Sequence, residues 1–205
     1  MSTLAARAER AAAVAARHAD AVDREGRFPA EAVAALKAER LLGLQIPGQF
    51  GGEGAGLTQI AELCSTLGQA CSAAAMVFAM HHIKVSSLVT HGLDSAWHCR
   101  LMERIAREQL LVASSTTEAG IGGDLRNSLC AVETTGEVFA LGKDASVISY
   151  GAQADLILAT ARRNPEAATS DQVLVALFAD QIALTRTGAW DTLGMRGTCS
   201  EGFRL

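Results

Sequence analysis

Four hydroxyl side chains followed closely by three glycines form the part of this chain whose residue types could hold a ligand. The segment runs from Leu111 to Asn127 and reads LVASSTTEAGIGGDLRN, placing Ser114, Ser115, Thr116 and Thr117 just ahead of Gly120, Gly122 and Gly123. Hydroxyls supply short donors and acceptors, and backbone nearly bare of side chains can offer its N–H groups to an anion or a planar polar ring. The same spacing also suits a flexible interdomain joint that binds nothing, and the residues alone leave both readings open.

Other reactive residue types are poorly spaced for chemistry. His81 and His82 are adjacent, about 100 degrees apart around a helix, so they cannot both point into one site, and no H-E-x-x-H follows. No metal site is expected. Cys64 and Cys71 could share a helix face without a third ligand nearby and read as core thiols. The run GGEGAG at 51–56 matches neither G-x-G-x-x-G nor a phosphate loop ending in G-K-[ST], and no G-x-S-x-G elbow occurs.

The elements that must position the 111–127 segment change character on either side of it. Before it, the alanine-rich stretch from Leu4 to about Arg24 predicts a helix stopped by Gly26. Pro29 and Glu31 open a second, expected to end near Gly43. Pro47 and five glycines make 44–56 a loop. Leu57 to Leu67 restores helical spacing up to Gly68. Met76, Met80 and Ile83 mark a face of the next helix, with Val77 and Leu88 beside them and a stop at Gly92. Asp94 or Ser95 caps a fifth, carrying Trp97, Leu101, Met102 and Ile105. After residue 110, β-prone runs fall at 129–135, 138–141, 145–150, 155–161, 173–179 and 182–187. The fold class is therefore α+β: a helical domain over 1–110, then an antiparallel β-barrel or sandwich over 111–205 with no βαβ crossover.

Composition narrows the function classes. At 205 residues and 49% apolar content the chain can bury substantial cores, and its formal charge is −4. Residues 1–110 hold eleven basic and eleven acidic side chains and residues 111–205 hold seven and eleven, so neither half has the basic footprint of a nucleic-acid binder. Five scattered cysteines without a C-x-x-C read as reduced thiols of a cytoplasmic protein. The first thirty residues lack a secretory h-region, and the nearly uncharged run Leu63–Ile83 reads as buried helix rather than a membrane span.

Four motifs in order carry a family resemblance. TTEAGIGGD at 116–124 looks like T-E-P-G-x-G-S-D, and GKDASVISYGAQAD at 142–155 looks like a second flavin-contacting segment. DTLGMRGTCS at 191–200 is similar to D-x-x-G-M-R-G-T-x-S, and IPGQFGGEG at 46–54 to I-P-x-x-[YF]-G-G-x-G. In these the chain resembles the acyl-CoA dehydrogenase superfamily, across its N-terminal helical domain and most of its middle β-domain. The resemblance implies FAD as cofactor and an acyl-CoA or related small molecule as substrate. Thr117, with the backbone of Ser115 and Thr116, would bond the pyrimidine side of the flavin ring. Ile148 and Ser149 would lie against the other edge, with Val147 at the position over the ring and Gly122 and Gly123 completing the loop. Three positions depart from the pattern: Gly123 stands where the family has serine, Ala119 where it has proline, and Val147 where many members place tryptophan. Restoring serine at Gly123 is expected to tighten binding. Glu118 reads as a carboxylate that organises the loop.

The resemblance further implies that the α-proton base and the subunit interface belong to a C-terminal helical domain beyond Leu205, so the chain reads as a truncated dehydrogenase that is homo-oligomeric at full length. The electron acceptor stays unassigned. A flavin-dependent monooxygenase of the same superfamily and a catalytically inactive interaction module are the alternatives. As it stands, the chain should not dehydrogenate acyl-CoA, because a positioned base alone contributes about 10²- to 10⁴-fold. Anaerobic incubation of the FAD-supplemented chain with a panel of acyl-CoA thioesters should leave the flavin unbleached, and rapid bleaching with enoyl product would contradict this.

Overall fold

The computed structural model describes residues 3–205, which form two compact units. The first runs to Val112 and takes in Asp191–Cys199; the second comprises Ala113–Trp190 and Ser200–Leu205.

The first unit is helical: α1 (Leu4–Glu25), α2 (Ala30–Ala38), α3 (Leu57–Ala70), α4 (Ser72–His91) and α5 (Ala96–Glu108). Thr3 Oγ1 caps α1 by accepting the Ala6 N–H at 3.2 Å. At the other end Gly26, with φ of +61°, turns its N–H back to the carbonyls of Val22 and Asp23. Ala8, Ala11, Ala15 and Val22 are buried, so α1 approaches α2 and α3 closely through small side chains. Ile60, Leu63 and Leu67 form the buried stripe of α3, and Leu101, Met102 and Ile105 that of α5. Ser95, one of the two predicted caps, accepts the His98 N–H.

Three helical expectations need correcting. The third helix passes through Gly68 to Ala70, and the break falls at Cys71, whose backbone is extended. The predicted face of α4 points outward, with Met76 38% and Ile83 60% exposed, while Val77, Phe78, His81, His82, Val85 and Leu88 are buried. This helix is apolar nearly all round, so periodicity offered two faces and packing took the one carrying the histidines. It is long and apolar enough to cross a membrane by composition, and half of it is buried inside the protein.

The third correction concerns α2, which ends at Ala38 rather than near Gly43. The chain swings through Arg40 at φ +54°, after which Leu41, Leu42, Leu44 and Ile46 are fully buried outside any helix. Burying such side chains stabilises by roughly 1.5–3 kcal/mol each, but the non-helical backbone then needs partners for its polar groups. Gln109 Oε1 accepts the Leu42 N–H at 3.0 Å, and His81 Nε2–H donates to the Leu42 carbonyl at 2.7 Å. The Val112 N–H donates to His81 Nδ1 at 3.0 Å, which fixes that tautomer. His82 donates from Nε2 to the Leu41 carbonyl at 3.0 Å and meets the Gln45 amide at Nδ1. Below the apolar run, a Cβ on Gly52 would lie 1.9 Å from the Ile46 carbonyl oxygen, so only glycine fits that crossing. Arg7 closes the loop from outside, donating to the carbonyls of Glu39 and Arg40 and pairing with Glu53 at 2.7 Å.

The second unit contains β1 (Val112–Ser115), β2 (Glu133–Thr135), β3 (Val138–Ala140), β4 (Asp144–Ile148), β5 (Leu156–Arg162), β6 (Gln172–Phe178), β7 (Thr185–Gly188) and β8 (Glu201–Arg204). Among the described residues after Val112 there is no α-helix, only short 3₁₀ turns. The α+β class holds, but the barrel does not: the strands form separate sheets ordered β1-β5-β6, β2-β3 and β4-β8-β7, none of them closed. In the first sheet β5 is central and pairs antiparallel with β6 from Leu156↔Phe178 to Arg162↔Gln172. Leu156 through Ala159 are buried on both faces, as a central strand requires. The predicted strand at 129–135 is regular only over 133–135: the N–H groups of Leu129 and Cys130 go to the Glu118 carboxylate, and Ala131 makes only an isolated parallel bridge with Arg162. β8, unread in the sequence, supplies the middle of the third sheet.

The histidine pair makes the helical unit sensitive to pH. Burial, then the neighbouring His81, hold the His82 ring well below its ordinary pKa of 6.5, despite the bond to Leu41. The unfolded ring takes up a proton near pH 6.5 while the folded ring does not, so this stability is complete above that pH and declines as pH falls below it. Chemical unfolding at a series of pH values from 7.5 to 5.5 should show a loss approaching about 1.4 kcal/mol per pH unit from this group. His82→Gln should flatten that slope, and an unchanged slope would show that the ring is already charged when folded.

Candidate flavin-facing site

The predicted site residues belong to the β unit, where a bulge in β4 brings several of them together. Ala145 pairs with Phe203 and Ile148 with Glu201, so three steps along β4 oppose two along β8. The extra residue takes the Val147 peptide out of the regular ladder. Thr117 Oγ1 serves it instead, donating to the Val147 carbonyl at 3.0 Å and accepting the Val147 N–H at 3.3 Å. One residue on from Glu118, the Ala119 N–H donates to the Asp144 carbonyl at 2.9 Å, so the 117–119 segment lies along β4.

These bonds decide what each hydroxyl has left. A threonine hydroxyl has one hydrogen and two lone pairs, and Thr117 has used the hydrogen and one lone pair on Val147. It can still accept a bond. Ser115 is fully buried, and its Oγ has no partner among the described protein atoms, so it can both donate and accept. Thr116 and Val147 are half-buried. The Ile148 side chain is fully buried, leaving its backbone as what it can present. Ser149 Oγ and Ser200 Oγ bond at 2.8 Å, bringing in a hydroxyl that sequence reasoning did not select. Gly122 and Gly123 sit apart in an exposed turn at φ +58° and +85°. A Cβ on either would touch nothing within 4 Å. Serine at Gly123 would therefore meet no clash but would be held in left-handed backbone, costing roughly 1–2 kcal/mol against any bond it gained.

Glu118 organises the loop. Its Oε2 accepts from the Leu129 N–H at 2.7 Å and Ser128 Oγ at 3.1 Å, and its Oε1 from the Cys130 N–H at 2.9 Å. Burial pushes its pKa up, but the bonds from Cys130 and Leu129 and the charge of Lys143 outweigh this and hold it below the usual carboxylate range. Lys143 lies 3.6 Å away with a fully buried side chain, a residue the motif reading quoted without assigning it a role. Burial raises the Cys130 thiol, with Glu118 adding to the shift. The thiol donates to the Thr160 carbonyl at 3.5 Å. The loop's other carboxylate, Asp124, accepts from the Arg126 N–H and the Asn127 side chain within its own turn. No group of three or more potential metal ligands occurs among the described residues. A cleft of about 600 Å³ opens between the β2–β3 hairpin and the turn after β6, and none of the predicted site residues line it.

The family described as acyl-CoA dehydrogenase, N-terminal domain, matches residues 3–109. The chain is 29% identical over 154 residues to acryloyl-CoA reductase (NADH) of Anaerotignum propionicum, covering 72% of this chain and 38% of that protein. It is similar to FMN-bound TdsC from Paenibacillus sp. A11-2, with a TM-score of 0.84 at 19% identity over 98% of this chain and 50% of that one. It is also similar to methanesulfinate monooxygenase MsuC from Pseudomonas fluorescens, with a TM-score of 0.78 at 20% identity over 100% of this chain and 51% of that one. At these identities the two structures establish the fold. The chain thus spans 38% of the curated relative and about half of each solved structure. TdsC holds FMN on this fold and is a dibenzothiophene monooxygenase. The expectations of FAD and of FAD-dependent acyl-CoA dehydrogenation are corrected by these relatives.

If Thr117 carries the bulge, Thr117→Val should strip both partners from the Val147 peptide while keeping the side-chain shape. Each unpaired, partly buried group costs about 1–3 kcal/mol, so the urea midpoint of the β unit should fall clearly. Thr117→Ser should stay near the parent. Equal midpoints for the valine and serine variants would show that the hydroxyl does not support the bulge.

Proposed function

The chain belongs to the acyl-CoA dehydrogenase family through its N-terminal domain, and from that premise we propose that it forms part of a flavin-dependent monooxygenase using reduced FMN. The observation that carries this reading is the likeness of its fold to FMN-bound TdsC, a dibenzothiophene monooxygenase, and to the methanesulfinate monooxygenase MsuC. Glu118 is occupied by three donors and a buried lysine, and Asp124 by its own turn. Both carboxylates thus hold the loop itself, which leaves the hydroxyls and backbone as what it can offer a ligand. Oxygen transfer asks the protein mainly to bind the flavin, orient the substrate and keep water away.

The residues present suit the polar edge of a flavin ring. Ser115 Oγ, buried and unpartnered, would donate to a ring carbonyl, and Thr117 Oγ1 would accept from a ring N–H with its remaining lone pair. Val147 in place of a tryptophan leaves more room at that edge for a flat substrate. Reduced FMN supplies two electrons, so that one atom of dioxygen enters the substrate and the other leaves as water. The flat heterocycles named with TdsC, dibenzothiophene and indole, are suitable first probes. The competing reading, oxidoreduction of an acyl-CoA thioester, draws on the likeness to acryloyl-CoA reductase.

Flavin fluorescence should show saturable binding when the full 205-residue chain is titrated with FMN. With photoreduced FMN and ¹⁸O₂, indole or dibenzothiophene should gain one labelled oxygen. Absence of FMN binding would overturn the proposal. So would anaerobic bleaching of bound FMN by acyl-CoA thioesters without oxygen incorporation.

A further inference from the structure

The glycines of the 116–124 segment permit its turn but do nothing to hold it still. Gly120, Gly122 and Gly123 all adopt positive φ, and the last two have open space around them. Glycine is the residue that loses most freedom on ordering, so the stiffness that keeps Ser115 and Thr117 in place must come from elsewhere.

It comes from one buried ion pair. Lys143 has no side-chain exposure, and Glu118 has 4%. Lys143 Nζ donates to the Thr160 carbonyl at 2.7 Å and lies 3.3 Å from Thr160 Oγ1, which fastens it to the central strand β5. Its own backbone exchanges bonds of 2.9 and 2.8 Å with Leu205. Glu118 in turn gathers Ser128, Leu129 and Cys130, and the Cys130 carbonyl accepts the Arg162 N–H at the end of β5. The pair thus joins the hydroxyl-bearing segment, the 128–130 segment and β5 at a point sealed from water.

We infer that Lys143 and Glu118 act together as positioning residues for the flavin, holding the loop so that the Ser115 and Thr117 hydroxyls face the ring. This assignment rests on the flavin reading above. Neither residue need touch the ring.

The chemistry predicts different effects for different replacements. Glu118→Gln puts an NH₂ where one oxygen now meets an N–H donor at 2.7 or 2.9 Å, so part of the loop must let go. Lys143→Met keeps the apolar stem but leaves Glu118 buried beside no cation. Removing one partner strands a charge, whereas removing both relieves it. The double variant Glu118→Gln/Lys143→Met should therefore be at least as stable as either single variant, yet still hold FMN loosely, because the three donors around position 118 remain badly met.

The test measures FMN affinity by fluorescence, thermal unfolding, and hydrogen exchange at Leu129 and Cys130 without ligand. Each single variant should bind FMN at least tenfold more weakly and exchange these two amides faster. Thermal stability should recover in the double variant while affinity does not. A purely structural role would have affinity recover with stability, and that result would overturn the assignment. Unchanged affinity in the single variants would overturn it as well. Failure of the parent chain to bind FMN would instead overturn the flavin reading and this assignment with it, even if the amide protection behaved as expected.

Discussion

A carboxylate taken out of water must find donors or give up its charge, and the layout of the β unit around residues 114–130 follows from how Glu118 finds them. Three donors and a lysine converge on it. Meeting that demand diverts the N–H groups of Leu129 and Cys130 from a ladder and leaves the stretch before β2 irregular. It also fixes the residue next to Thr117, whose hydroxyl is then in place to serve the bulged Val147 peptide. One charge therefore sets both the interruption in the sheets and the placement of the candidate flavin contacts.

The helical unit solves a related problem with different chemistry. The apolar run from Leu41 to Ile46 lies buried without helical bonds, and two adjacent histidines of α4 accept the task of pairing its carbonyls. Adjacent residues on a helix point in different directions, which rules them out as one metal site but suits them to two successive carbonyls of a neighbouring chain. Burial, rather than these bonds, keeps His82 neutral. With its Nε2–H committed to Leu41, Nδ1 is an acceptor, and the Gln45 amide has to turn its NH₂ toward it.

Much of this was legible where the signal is local. Gly26 and Ser95 end and start helices by rules that involve only their own neighbours, and the main strands lie within a few residues of their β-prone runs. The errors arise where a distant residue decides. Leu41 to Ile46 reads as a continuing apolar stripe until His81 and His82, about forty positions on, claim its carbonyls. Leu129 and Cys130 read as strand until Glu118 takes their N–H groups. In the site, the motif resemblance singled out Thr117 and Val147, which the structure joins across thirty positions, but no spacing rule links Glu118 with Lys143 or Ser149 with Ser200. Cofactor identity lay beyond these residues for a chemical reason. FMN and FAD present the same ring, so hydroxyls that face the ring cannot tell them apart.

The sealing of Lys143 bears on how the protein can be labelled. The chain has three lysines, Lys37, Lys84 and Lys143. Amine-directed dyes and crosslinkers cannot reach Lys143 while the β unit is folded, so every lysine adduct on native protein falls in the helical unit. Partial burial lowers the pKa of Lys84. The appearance of an adduct at Lys143 then reports that the β unit has opened.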